Sequence, residues 1–132
     1  MVIFQDTDVQ AHARKAVDAA LALLTTTEVL NQENSDHPLA IHIGINSGTA
    51  LVGSTRFEGL RGARWTFTAS GPVTNLAARL AGIAGAGQIL VGPETVRCLG
   101  NHYHLDRLGP KHLKNIAEAI EIHRILSRSA LT

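Results

Sequence analysis

The stretch WTFTASGPVTNLAARL, Trp65 to Leu80, decides how the rest of the chain is read. Trp65, Thr66, Phe67 and Thr68 are aromatic or β-branched and suit a short strand. Ser70 and Gly71 are helix-start residues, and Pro72 fits the first helical position, where a missing N–H costs nothing. Val73, Leu76, Ala77 and Leu80 then recur at helical spacing and make one apolar stripe. Asn75 and Arg79 stand four residues apart, one turn above the other, on the face away from that stripe. The spacing predicts a helix anchored by its apolar side that presents an amide and a guanidinium together. An ordinary solvated face is the competing reading of that pair, because exposed polar pairs at this spacing are common.

Around this stretch the bulk properties set limits. A chain of 132 residues with 45% apolar content can form one domain with its own core. The formal net charge is +1, and neither a basic run nor an aromatic platform points to nucleic acid. Cys98 is the only cysteine, so no intrachain disulfide can form, which fits a reducing, cytoplasmic setting. No apolar run is long enough to span a bilayer, and Met1 to Phe4 is too short for a signal peptide.

Read in order, Met1 to Phe4 is a stub of strand. Ala13, Ala16, Val17, Ala20, Leu21 and Leu24 repeat with helical period, predicting an amphipathic helix from residue 9 to about 24; the polar stretch from Thr25 can extend it at first, and Asn34 to Pro38 reads as loop. Leu39 to Asn46 alternates as a strand, with Ile41, Ile43 and Ile45 on one face and His42 and Gly44 on the other. Asn46-Ser47-Gly48 has turn chemistry, and Thr49 to Ser54 reads as the returning strand of a hairpin. Arg56 to Arg64, with two glycines and three arginines, reads as a mobile loop. After the helix of the opening stretch come a strand at Gln88 to Val91 and a short helix from Pro93 to about Leu99. His102 to Arg107 is expected to be extended, Gly109-Pro110 a turn, and Lys111 to Lys114 and Ala119 to Leu126 short strands. The domain is expected to span residues 1–126, with 127–132 a frayed tail. Strands and helices mix without strict alternation, which suggests an α+β sandwich with helices on one face of an antiparallel sheet.

Four motifs in order resemble the catalytic domain of class III nucleotide cyclases, the adenylate and guanylate cyclases. They are IHIGINSGTALVGS (Ile41 to Ser54), the opening stretch with Thr68, Gly71, Asn75 and Arg79 in register, GQILVGPETV (Gly87 to Val96) and LGPKHLKNI (Leu108 to Ile116). The resemblance covers Val2 to Ile125. It implies a ferredoxin-like core with extra C-terminal strands, and conversion of ATP, less readily GTP, to the 3′,5′-cyclic nucleotide and pyrophosphate. It implies that Asn75 orients the ribose and Arg79 stabilises charge on the α-phosphate, a task suited to a planar fork that stays protonated. Thr68 matches a base-reading position, although a hydroxyl both donates and accepts and discriminates poorly alone. Lys114 matches a lysine on the triphosphate tail, but its usual glycine neighbour is Asn115 here.

The family binds two Mg²⁺ or Mn²⁺ ions through two aspartates that the resemblance places before Met1, so this chain is expected to be an N-terminally truncated domain without metal ligands. Asp6 and Asp8 could in principle hold a hard cation, yet their place before a helix favours N-capping. His102 and His104 could share a strand face as metal ligands, with no third ligand near them in sequence. Trp65 suits packing on the sheet, and Cys98 suits a core position. Family sites form between subunits, so the expected partner is a second copy or a cyclase subunit that keeps its metal aspartates. The alternative is a non-catalytic remnant acting as a dimerising or regulatory module.

Overall fold

The computed structural model describes residues 1–59 and 62–129. In chain order the elements are α1 (Val9–Glu33), β1 (Ile43–Ile45), β2 (Leu51–Gly59), β3 (Gly62–Ser70), α2 (Pro72–Ile83), β4 (Ile89–Val91), α3 (Pro93–Leu99), β5 (Tyr103–Lys111) and β6 (Ile120–Arg128). Four strands form one sheet in the order β1-β4-β6-β5, and β2 with β3 makes a separate antiparallel pair. In this sheet β1 and β4 run parallel, while β4–β6 and β6–β5 are antiparallel. The architecture is the expected α+β sandwich with a mostly antiparallel sheet. No described helix is long and apolar enough to cross a membrane.

Side-chain alternation along the strands divides the core. Ile89 and Val91 of β4 and Ile125 of β6 pack with Ala13, Val17 and Ala20 of α1 and Leu99 of α3. Leu90 and Ile122, pointing the other way, pack with Leu80, Ala84 and Leu113. The helices therefore lie on both faces of the sheet, α1 and α3 on one and α2 on the other, which corrects the expectation of helices on one face. The cause is that β4 is buried on both sides, all three residues of it, so each face needs a helical cover.

Several local expectations also change. The strand after Gly48 does not fold back on β1. Instead β2 pairs with β3 from Leu51↔Ser70 to Gly59↔Gly62, so Arg56 and Arg64 lie in ladder strands rather than in a loop. β1 takes β4 as its neighbour, Gly44 opposite Leu90. Met1 to Phe4 forms no strand, and α1 takes up the whole of the possible extension, running to Glu33 with Asn34 as its cap. Gly109-Pro110 lies within β5, beside a register shift between Arg107 and Gly109, and residues 112–119 form a connection instead of a strand. Ser127 and Arg128 belong to β6, whereas residues 130–132 of the expected tail lie outside the described residues.

One contact fixes how α2 sits. Gly44 faces the helix so closely that a Cβ there would lie 2.3 Å from both the Ala77 carbonyl oxygen and the Ala81 nitrogen. Only glycine allows strand and helix backbones to approach this far. His42 and Asn46, two residues to either side on the same face, also reach α2. His42 Nδ1 is 2.7 Å from the Ala84 carbonyl, and Asn46 Nδ2 donates to the Val73 carbonyl at 3.1 Å. Next to them, the buried hydroxyls of Ser47 and Thr95 share a hydrogen bond of 2.8 Å, tying the end of β1 to α3.

Candidate active site

α2 begins as the opening stretch predicts. Gly71, with φ 113°, turns the chain out of β3, and Pro72 takes the first helical position. The first helical bond runs from the Asn75 amide to the Gly71 carbonyl at 3.0 Å. Leu80 is fully buried and holds the apolar stripe in the core, so Asn75 is left exposed and Arg79 half-buried on the outer side.

Arg79 meets Lys114 there. Ala78, Arg79, Gly82 and Ile83 of α2, with Leu113 and Lys114 of the β5–β6 connection, line a cavity of about 190 Å³. Leu113, 7% exposed, anchors the connection in the same core as Leu80 and so sets Lys114 beside the helix. Two cationic side chains face one space whose lining includes no carboxylate. Such a space suits an anion with several oxygens, Arg as a planar fork and Lys as a point charge. Asn115 holds φ 63°, the left-handed backbone that a glycine would adopt freely and that asparagine tolerates. Its substitution for glycine therefore keeps the turn that follows Lys114.

The four candidate residues are thus distributed unevenly. Arg79 and Lys114 come together at the cavity, and Asn75 lies one turn back on the same helix without lining it. Thr68 lies in β3 opposite Gly53, three residues before Gly71. Gly82, read in the sequence only as a residue that closes the helix, and Ile83 also line the cavity; they stand three and four residues after Arg79, where helix neighbours must be.

The carboxylates near the N-terminus do not form a metal centre. Asp8 Oδ1 accepts from the Gln10 amide at 2.9 Å and caps α1. Asp6 accepts from the Asp8 amide and pairs with Lys15 at 2.8 Å, and that ammonium holds its carboxyl below the usual range. Among the described residues no three His, Cys, Asp or Glu side chains gather as ligands. His102 Nε2 faces Arg14 Nη1 at 3.3 Å, and Cys98 packs half-buried against the α1 core. Asp6 and Asp8, each committed to a partner at the start of α1, therefore do not fit a divalent-metal site.

The family model described as the adenylate and guanylate cyclase catalytic domain matches residues 1–127. Among curated proteins none matches the chain in sequence. Among solved structures, the adenylyl cyclase CyaB from P. aeruginosa is similar, with 27% identity, a TM-score of 0.84, and 96% of this chain and 66% of that one covered. The guanylate cyclase domain of RhGC from Catenaria anguillulae, in complex with GTP, gives 22% identity and a TM-score of 0.75, with 89% and 61% covered. A dimeric guanylyl cyclase domain of the RhoGC fusion protein from the aquatic fungus Blastocladiella emersonii gives 20% and 0.70, with 94% and 62% covered. The chain thus spans less than two thirds of the length of the structures it matches.

Proposed function

The chain belongs to the family of adenylate and guanylate cyclase catalytic domains, and from that premise we propose that it supplies the phosphate- and ribose-holding half of a site that makes 3′,5′-cyclic AMP. The observation that carries this reading is the shared cavity of Arg79 and Lys114, two cations from distant parts of the chain. In the reaction the 3′-oxygen of ATP attacks the α-phosphorus, the bond from that phosphorus to the oxygen bridging to the β-phosphate breaks, pyrophosphate leaves with that oxygen, and the 3′-hydroxyl proton passes to water. Lys114 holds the tail that becomes pyrophosphate. Arg79 meets the charge that builds on the α-phosphate, a contribution worth roughly 10³-fold or more in comparable phosphoryl transfers. Asn75 orients the ribose from the same rigid helix, and Thr68 contacts the base. ATP is favoured over GTP because the threonine resembles that of adenylate cyclases and because CyaB, at 27% identity, is an adenylyl cyclase. The metal-binding carboxylates come from a partner subunit, since Asp6 and Asp8 are committed to the start of α1.

The test is cyclic-nucleotide production from Mn²⁺-ATP and Mn²⁺-GTP. The chain is assayed alone and with a cyclase subunit that keeps its metal aspartates but lacks its own asparagine and arginine. Product only in the mixture, more from ATP, and its loss by about 10³-fold in Arg79→Ala are the expected results. Unchanged activity of Arg79→Ala would refute the assignment. A second reading, a non-catalytic dimerising or regulatory module, is favoured by the same commitment of Asp6 and Asp8. Silence of the mixture with a folded chain would select it.

A further inference from the structure

We infer that His42 and Asn46 are positioning residues that hold α2 at both ends and so set where Asn75 and Arg79 stand. This rests on the reading of α2 as the helix that carries the substrate contacts. His42, Gly44 and Asn46 alternate onto one face of the β1 segment, and each meets α2 at a different height. Asn46 donates to the Val73 carbonyl near the helix start, Gly44 abuts Ala77 and Ala81 in the middle, and His42 reaches the Ala84 carbonyl at the end. A carbonyl can only accept, so Nδ1 of His42 carries the proton in that bond. The bond satisfies a terminal carbonyl that the helix itself leaves without a partner.

The spans match. Four residues of extended chain from His42 to Asn46 cover about 13 Å, and eleven helical steps from Val73 to Ala84 cover about 16 Å. Two ties at such a separation fix both the sliding and the tilt of a rod, whereas one tie leaves the tilt free. The contact at Gly44 sets the distance between them. Arg79 lies between the two ties, so either end slipping displaces its guanidinium. Displacement of about 1 Å in a reacting geometry costs about 10²-fold in rate. Gly92 leaves the room that the Asn46 amide occupies: a Cβ there would lie 2.7 Å from its Oδ1.

Amide hydrogen exchange on the whole chain, with product formation in the mixture as a second readout, tests this. His42→Leu removes the donor, and His42→Asn restores one at the position of Nδ1. Asn46→Asp keeps the shape but sets a carboxylate against the Val73 carbonyl. His42→Leu is expected to speed exchange of the 81–84 amides about fivefold, and Asn46→Asp that of the 74–77 amides. Both should leave β4 and β6 at wild-type rates, and His42→Asn should return to wild type. In the mixture the two damaging variants should lower kcat about tenfold or more and change KM less than twofold. Uniform acceleration across β4 and β6, unchanged α2 exchange, failure of His42→Asn to restore it, or an unchanged kcat in an active mixture would overturn the inference. A wild-type mixture without product, alongside the expected local exchange pattern, would support the seating of α2 and defeat the cyclase reading instead.

Discussion

Asn115 shows how much one backbone angle carries. It holds φ 63° directly after Lys114, in the connection that brings that lysine to the cavity. Asn115→Gly should keep or slightly raise the melting temperature, since glycine adopts this conformation without a Cβ clash. Asn115→Val should lower stability by about 1–2 kcal/mol by denaturant titration, because a β-branched side chain resists positive φ. Equal stability of both variants would show that the turn does not constrain Lys114. Residue types at this scale were legible in the sequence: the fork of Arg79, the amide of Asn75 and the capping role of Asp8 follow from chemistry and spacing. The meeting of Arg79 with Lys114 was not derivable from spacing, because it depends on Leu113 entering the α2 core.

Among the elements, α1 is pinned to β5 by Tyr103, whose hydroxyl donates to the Asp18 carboxylate at 2.6 Å. Burial, then the hydrogen bond to Asp18 and the charge of that carboxylate, pushes the phenol above its ordinary 10.0. The folded state therefore retains a proton that the unfolded chain releases above pH 10. Tyr103 contributes stability fully present below that pH and lost as pH rises toward its folded value. Tyr103→Phe should flatten the alkaline limb of a stability–pH curve while leaving the slope between pH 6 and 8 unchanged. An identical alkaline limb in the variant would remove the phenol as its cause. Helix starts and periods were readable because they are local: Pro72 opens α2 and Pro93 opens α3 as expected. The partner of β1 was not, because pairing with β4 is a long-range choice. The β2–β3 hairpin is local, yet in sequence it reads as a loop because Gly59 and Gly62, which form its last pair, are also loop signals.

For the molecule as a whole, the two edges of the main sheet differ. β5 carries Pro110, charged Asp106, Arg107 and Lys111, and two register shifts, all features that discourage further pairing. β1 is short and uncharged, Ile-Gly-Ile, and among the described residues nothing pairs with its outer side. An edge left open in this way favours strand addition, so the mass measured by light scattering should rise with protein concentration. A constant monomer mass up to high concentration would show that the edge is closed by other means. The alternation of Leu39 to Asn46 revealed the strand and its two faces. Its position at the sheet margin could not be seen, because sheet order depends on which distant strand arrives beside it.

The parallel pairing of β1 with β4 bears on the order in which the molecule comes together. The hairpin and α2 lie in the chain between those two strands, so the ladder must close a loop that contains the helix itself. A hairpin such as β2–β3 needs only its own residues and can form in microseconds, whereas a parallel pair bears the entropy of the whole intervening loop before any contact compensates. The groove that seats α2 is thus among the late-forming parts of the fold. Arg79 reaches its place only when this long-range ladder has closed, and binding competence should lag behind the appearance of helix during refolding.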